Sequence, residues 1–253
     1  MRYLLSLALT MSFFVIAQED EASYKYEPQV NKAEYYIGKF NKGKDVNDLA
    51  EWYGKFAKWA EGKDGVYDKM TVAILQPYFH SDMGSVDAMW VNTWPTPTEQ
   101  YKALETWVTG GGAKLLESLP VTHSMQVDTV QWAISEPASM KPGNIMFATY
   151  SECSLEEDYD ARQVYDLYKD FADYAKSVGD TLGRKMIVPV SGYQLPEGVD
   201  FIRLMYTSSI SEAGTNADLF WDKIAESEAN ANLKGFSCTN AESYFGSAMR
   251  TAQ

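Results

Sequence analysis

The chain has 253 residues, 45% of them hydrophobic, which is enough length and apolar content for two cored domains and excludes global disorder. Twenty-two basic residues face 35 acidic ones, a net charge of −13. Such a surface repels phosphate backbones and anionic lipid, so neither nucleic acid nor membrane is an expected partner.

Residues 1–17 read as a secretory signal peptide. Arg2 gives a basic start, Leu4 to Ile16 is apolar but short for a bilayer span, and Val15 and Ala17 suit signal peptidase. An uncleaved anchor is the competing reading, disfavoured by that length. The expected location is secreted or periplasmic, free of the membrane after cleavage. Residues 18–32 read as a loose polar lead-in. In an exported chain the two cysteines, Cys153 and Cys238, imply one disulfide.

Ala33 to Phe40 is a strand of aromatic and β-branched character. Asp45 is placed to cap a helix that runs to about Glu61. Leu49, Trp52, Tyr53, Phe56, Trp59 and Ala60 give that helix one apolar face. Met70 to Leu75 is a second strand. Val86 to Trp94 is a third, alternating Trp90, Asn92 and Trp94 against Met89 and Val91. A helix follows from Thr98 to Thr109, broken by Gly110-Gly111-Gly112, and Ala113 to Ser118 resumes it. Ser124 to Ile134 is a fourth strand, and 136–143 a proline-bearing linker.

The order then repeats. Ile145 to Tyr150 is a strand, Asp160 to Ser177 a helix, Lys185 to Val190 a strand, and Val199-Asp200-Phe201 opens another. Ala217 to Ala229 is a helix and Ser237 to Ser247 the last strand. Tyr53, Phe56, Ala57 and Ala60 recur as Tyr168, Phe171, Ala172 and Ala175, 115 residues on. The chain therefore reads as repeat 1 over 33–135 and repeat 2 over 144–253.

Two units of strand, helix, strand, strand, helix, strand give an α+β fold. They read as two tandem ferredoxin-like βαββαβ repeats whose antiparallel sheets pack against each other as an α+β barrel. This arrangement resembles the dimeric α+β barrel superfamily fused in tandem, which includes antibiotic biosynthesis monooxygenase-like and NIPSNAP-like proteins. The resemblance rests on element order and duplication over residues 33 to 250, and no catalytic motif transfers with it. It implies sheet order 4-1-3-2, which brings Cys153 near Cys238; two separate buried thiols are the competing reading. It also implies that fusion replaces a dimer partner, giving a monomer, although edge strands are left open to association.

Trp90, Asn92 and Trp94 share one strand face, and Trp107 and Trp132 complete the set of candidate pocket residues. Aromatics around one polar group suit a small-molecule pocket, but an ordinary aromatic core with a satisfied amide is the commoner arrangement and is favoured. His80 and His123 are the only histidines. Exposed loop positions are favoured for both, with haem ligation as the alternative. Arg203 lies in the third strand of repeat 2, where a salt bridge is favoured over an anionic ligand group. The acidic run from Glu156 to Asp160 reads as a helix start rather than a calcium loop. No spaced metal-ligand cluster or nucleophile motif is present, so no metal and no obligatory cofactor are expected. The leading expectation is an exported barrel that binds a small apolar or aromatic molecule, with cofactor-independent monooxygenase chemistry as its enzymatic form. The alternatives are a non-catalytic structural or interaction module and a haem-binding protein.

Overall fold

The computed structural model describes residues 24–252. The signal peptide reading, and residues 18–23 of the lead-in, lie outside the described residues.

The described residues form eight strands: β1 (Gln29–Phe40), β2 (Thr71–Phe79), β3 (Ala88–Trp94), β4 (Val121–Ser135), β5 (Ile145–Leu155), β6 (Gly183–Ser191), β7 (Phe201–Thr207) and β8 (Phe236–Arg250). They close into one antiparallel barrel in the order β1-β3-β2-β8-β5-β7-β6-β4. The first half runs β4-β1-β3-β2 and the second β8-β5-β7-β6, so relative strand order is the same in both. The halves join through β2–β8 and β4–β6.

That closure bears out the expected α+β barrel and corrects only how its two sheets join. The two sheets meet edge to edge rather than face to face, and the barrel leaves no sheet edge for association among the described residues. Each strand then has an inner face lining the barrel and an outer face under helices. β3 shows the split: Met89 and Val91 join Ala33, Tyr35 and Leu75 inside, while Trp90 and Trp94 join helix residues outside.

Helix α1 (Val46–Glu61) starts where Asp45 accepts from the Asn47 and Asp48 backbone and Asp48 returns a bond to the Asp45 amide. It lays Leu49, Trp52, Phe56 and Ala60 on the first half-sheet. Helix α2 (Pro97–Thr109), capped by Thr96, lies beside it. Past Gly110 and Gly111 the chain continues as a 3-10 helix over Gly112–Ser118, a tighter continuation than the expected α-helix. Gly111 has φ 81°, a left-handed conformation that only glycine adopts without cost.

On the second half, α3 (Ala161–Ser177) begins 115 residues after α1 with the same kind of capping box, from Asp160 and Gln163. The acidic run therefore starts a helix. The last helical stretch departs from the expected Ala217 to Ala229. It starts earlier, as α4 (Ile210–Leu219) capped by Ser209, widens to a π-turn at Phe220–Ile224, and ends as α5 (Glu228–Asn232).

Residues 24–28 are not a loose lead-in. Tyr24 and Tyr26 donate to Asp160 and Asp170, and the Lys25 and Tyr26 amides donate to Asp166, strapping the segment onto α3. β1 then starts at Gln29, before the expected Ala33, because it stays paired with β4 from Gln29–Ala133 to Phe40–Val121. No helix of the described residues is long and apolar enough to cross a membrane.

Candidate functional site

The outer face of the first half-sheet is organised in cross-strand rows, fixed by register. One row is Gln126, Tyr36, Trp90 and Ile74, across β4, β1, β3 and β2. The next is Asp128, Glu34, Asn92 and Val72, followed by Val130, Lys32 and Trp94. Polar side chains thus run through the middle of an aromatic floor.

Above this floor the α1 face, α2 and the 3-10 helix do not fill the space. A cavity of about 350 Å³ remains, at the small end of the ligand-pocket range. Trp52 and Phe56 of α1, Ala103 and Trp107 of α2, and Trp90 and Trp94 of β3 wall it. The rings hold one another edge-on: Trp52 to Trp90 at 5.5 Å and Phe56 to Trp90 at 5.9 Å between centroids. Leu104, Val108 and Leu116 form an exposed apolar rim.

Most polar atoms of the wall have protein partners. Trp52 donates to the Leu115 carbonyl at 2.9 Å, Tyr67 to the Ala103 carbonyl at 2.7 Å and Trp90 to Asn92 Oδ1 at 2.5 Å. Tyr36 donates to Glu34 at 2.7 Å. Burial and the neighbouring Glu34 push the Tyr36 phenol up, so it stays a neutral donor. Trp94 is the exception: its Nε1 is buried with no partner among the described residues.

Within the floor lies a charged cluster. Lys32 contacts Asp128 at 2.7 Å with both side chains largely buried. Gln100 donates to Glu34 at 2.9 Å and to Asp128 at 2.8 Å. Glu34 lines the cavity and has no cationic partner among the described residues.

Trp90, Asn92, Trp94 and His123 all line this cavity, and Trp90 and Trp94 are at the same time buried members of the aromatic core under α1, with Asn92 accepting from Trp90 as the core reading expected. His123 is not an exposed loop residue. It packs at 5.4 Å from Tyr36, and burial lowers its pKa, keeping the imidazole neutral at neutral pH. The other three named residues lie elsewhere. Trp132 sits on the far half of β4, beneath α3, with its ring edge-on to Tyr165 at 5.8 Å. Fifteen residues of β4 run out of one half and into the core of the other, which separates Trp132 from Trp90. His80, also half-buried, ends β2 and meets Glu242 of β8 at 3.0 Å, a contact made by the β2–β8 seam.

Arg203 makes no salt bridge among the described residues, against expectation. It lies opposite Ser151 in the β5–β7 ladder, and its Nε, Ser151 Oγ and Tyr168 Oη are buried without partners. Three such atoms are suited to ordered water. No group of three or more His, Cys, Asp or Glu side chains able to hold a metal ion occurs among the described residues.

Glu34, Tyr36, Trp52 and Phe56 were not among the residues expected to form the site. Glu34 carried a readable signal, as the one acid of β1, set between Ala33 and Tyr35.

No protein-family model matches the chain, and no curated protein matches it. Among solved structures, the chain is similar to a mutant chlorite dismutase from Candidatus Nitrospira defluvii at 14% identity and TM-score 0.47, covering 88% of this chain and 93% of that one. The same organism's chlorite dismutase in complex with imidazole gives 14% identity and TM-score 0.45 over the same shares. A second mutant gives 13% and 0.46, over 91% of this chain and 96% of that one. Likeness at this level bears on neither activity nor cofactor, and these comparisons lend no support to the monooxygenase-like or NIPSNAP-like assignment.

Proposed function

We propose that this protein is an exported binding protein that holds a small aromatic or apolar molecule between the first half-sheet and helices α1 and α2. One observation carries the reading. Protein interiors leave few voids larger than a water molecule, yet here about 350 Å³ stays open among indole and phenyl rings beneath an apolar rim. A structural or interaction module has no need of such a space.

Export is supported by the Cys153–Cys238 disulfide, a bond that persists in oxidising compartments. The matching element and strand orders support the finer description of two fused ferredoxin-like units. Such a unit needs no second copy to complete its barrel, so a monomer suffices. A monooxygenase-like activity is the enzymatic extension of this reading, and oxygen uptake with a bound aromatic is its test.

The binding reading is tested by titrating the purified chain with small aromatic compounds and following tryptophan fluorescence, since Trp52, Trp90, Trp94 and Trp107 all face the cavity. Saturable quenching is expected, and Leu116→Trp, which plugs the rim, removes it. Unsaturable quenching, indifferent to that plug, overturns the reading.

Haem is the second reading, favoured by one observation: a neutral imidazole, His123, on the cavity wall. One donor therefore fits. Among the described residues no lysine or arginine lines the cavity to meet the two carboxylates of haem, and Glu34 opposes them. His123 would hold the iron, which would supply redox chemistry. Haem titration tests this: a Soret band lost in His123→Ala supports it, and no band ends it.

A further inference from the structure

Resting on the binding reading above, we infer that the ligand is a cation, an aromatic or aryl-alkyl amine whose ammonium group sits against Glu34 and the surrounding rings.

The charge of the site points this way. The cluster at the cavity floor contains two carboxylates, Glu34 and Asp128, and one ammonium, Lys32. Lys32 is committed to Asp128, at 2.7 and 2.8 Å to its two oxygens. Glu34 receives only neutral donors, Gln100 at 2.9 Å and Tyr36 at 2.7 Å. The cluster therefore carries one uncompensated negative charge on the side chain that reaches the cavity. Register places Glu34 directly opposite Asp128 on β4, so the two carboxylates also repel across the ladder. A cation in front of Glu34 relieves both costs.

The walls agree. Indole and phenol faces attract cations through their quadrupoles, most strongly where water is excluded. Trp90 lies next to Glu34 on the floor, one strand over and two residues from Asn92, and Tyr36 follows Glu34 on the same face of β1. Among the described residues no lysine or arginine lines the cavity, and His123 is held neutral, so none of them competes with an ammonium. A carboxylate ligand meets Glu34 with no counter-charge. The buried, unpartnered Trp94 Nε1 adds one detail: it is a donor, so the preferred amine also carries a hydroxyl, ether or carbonyl oxygen.

The test is calorimetric titration of the full chain with three probes of one ring system: 2-naphthylmethylamine, 2-naphthylmethanol and 2-naphthoate. The ammonium is expected to bind at least about tenfold more tightly than the alcohol, and the carboxylate most weakly. Glu34→Gln is isosteric and keeps an acceptor for Tyr36. It is expected to bring the amine down to the alcohol while alcohol binding is retained, which also shows that the variant is folded. Equal binding of amine and alcohol to the native chain, or an amine preference that survives Glu34→Gln, overturns the cation inference and leaves the cavity as a binding site. No binding of any of the three overturns both.

Discussion

Cys153 and Cys238 stand directly opposite each other in the β5–β8 ladder and are joined by a disulfide, their Cα atoms 4.1 Å apart. The bond ties the first strand of the second half to the last, across a sequence separation of 85 residues. Closing so long a loop restricts the unfolded chain strongly. The double substitution Cys153→Ser, Cys238→Ser is expected to lower the unfolding free energy by about 2–4 kcal/mol. Urea denaturation with and without reductant checks it; coincident midpoints for the two would contradict the expectation.

Lys32 is 3% exposed and pairs with Asp128, which stands directly opposite Glu34 in the β1–β4 ladder. Lys32→Met keeps the volume and removes the charge, leaving Asp128 and Glu34 buried side by side. A loss of about 3–5 kcal/mol is expected, as for other broken buried pairs. Adding Asp128→Asn removes one of the stranded charges, so the double variant should recover part of that loss. Chemical denaturation of the two single variants and the double gives the coupling directly, and strictly additive losses would show that Lys32 and Asp128 do not act as a pair.

Lys185 makes an instructive contrast. It points into the barrel interior and donates to Asn31 at 3.3 Å and Gln131 at 3.2 Å, both neutral amides. Burial lowers its pKa. An ammonium without a carboxylate partner is a net cost in such a place. Lys185→Met is therefore expected to leave stability unchanged or raise it by about 1 kcal/mol or more. A clear drop in Tm would mean that the two amide contacts outweigh the desolvation of the charge.

Tyrosines set the alkaline limit. Burial raises the phenols of Tyr35, Tyr36, Tyr67, Tyr150, Tyr206 and Tyr244 above the ordinary value of 10.0. Since the folded pKa values exceed the unfolded ones, the folded chain binds more protons once pH passes about 10. The stability these groups confer is complete below that pH and is lost as pH climbs above it. Ultraviolet difference absorbance should show tyrosinate appearing together with unfolding for these six. Exposed phenols ionise at about pH 10 without unfolding, so ionisation of all 17 tyrosines while the chain stays folded is the result that would refute the assignment.

What could be read from the sequence were the short-range properties. Asp45 and Asp160 mark helix starts because a carboxylate can reach its own backbone two and three residues on, which needs no tertiary partner. The alternation in β3 assigned Trp90 and Trp94 to one face and Met89 and Val91 to the other, because a strand's period is two in any fold. Element order and the 115-residue echo of α1 in α3 follow from the same local patterns laid in sequence, whereas the pairing of the two cysteines was expected from the export reading and from the strand order that the resemblance implied.

Tertiary structure alone decided the rest. Whether two sheets stack or fuse depends on which strand edges meet, and β2–β8 and β4–β6 pair residues far apart in the chain. That closure drew Trp132 beneath α3 and His80 to Glu242. An open cavity is a difference between the space helices enclose and the volume of the side chains that enter it, and no run of residues encodes that difference. Glu34 gained its meaning in the same way, when register set it between Asp128 and Asn92 and the neighbouring ammonium of Lys32 was already held by Asp128.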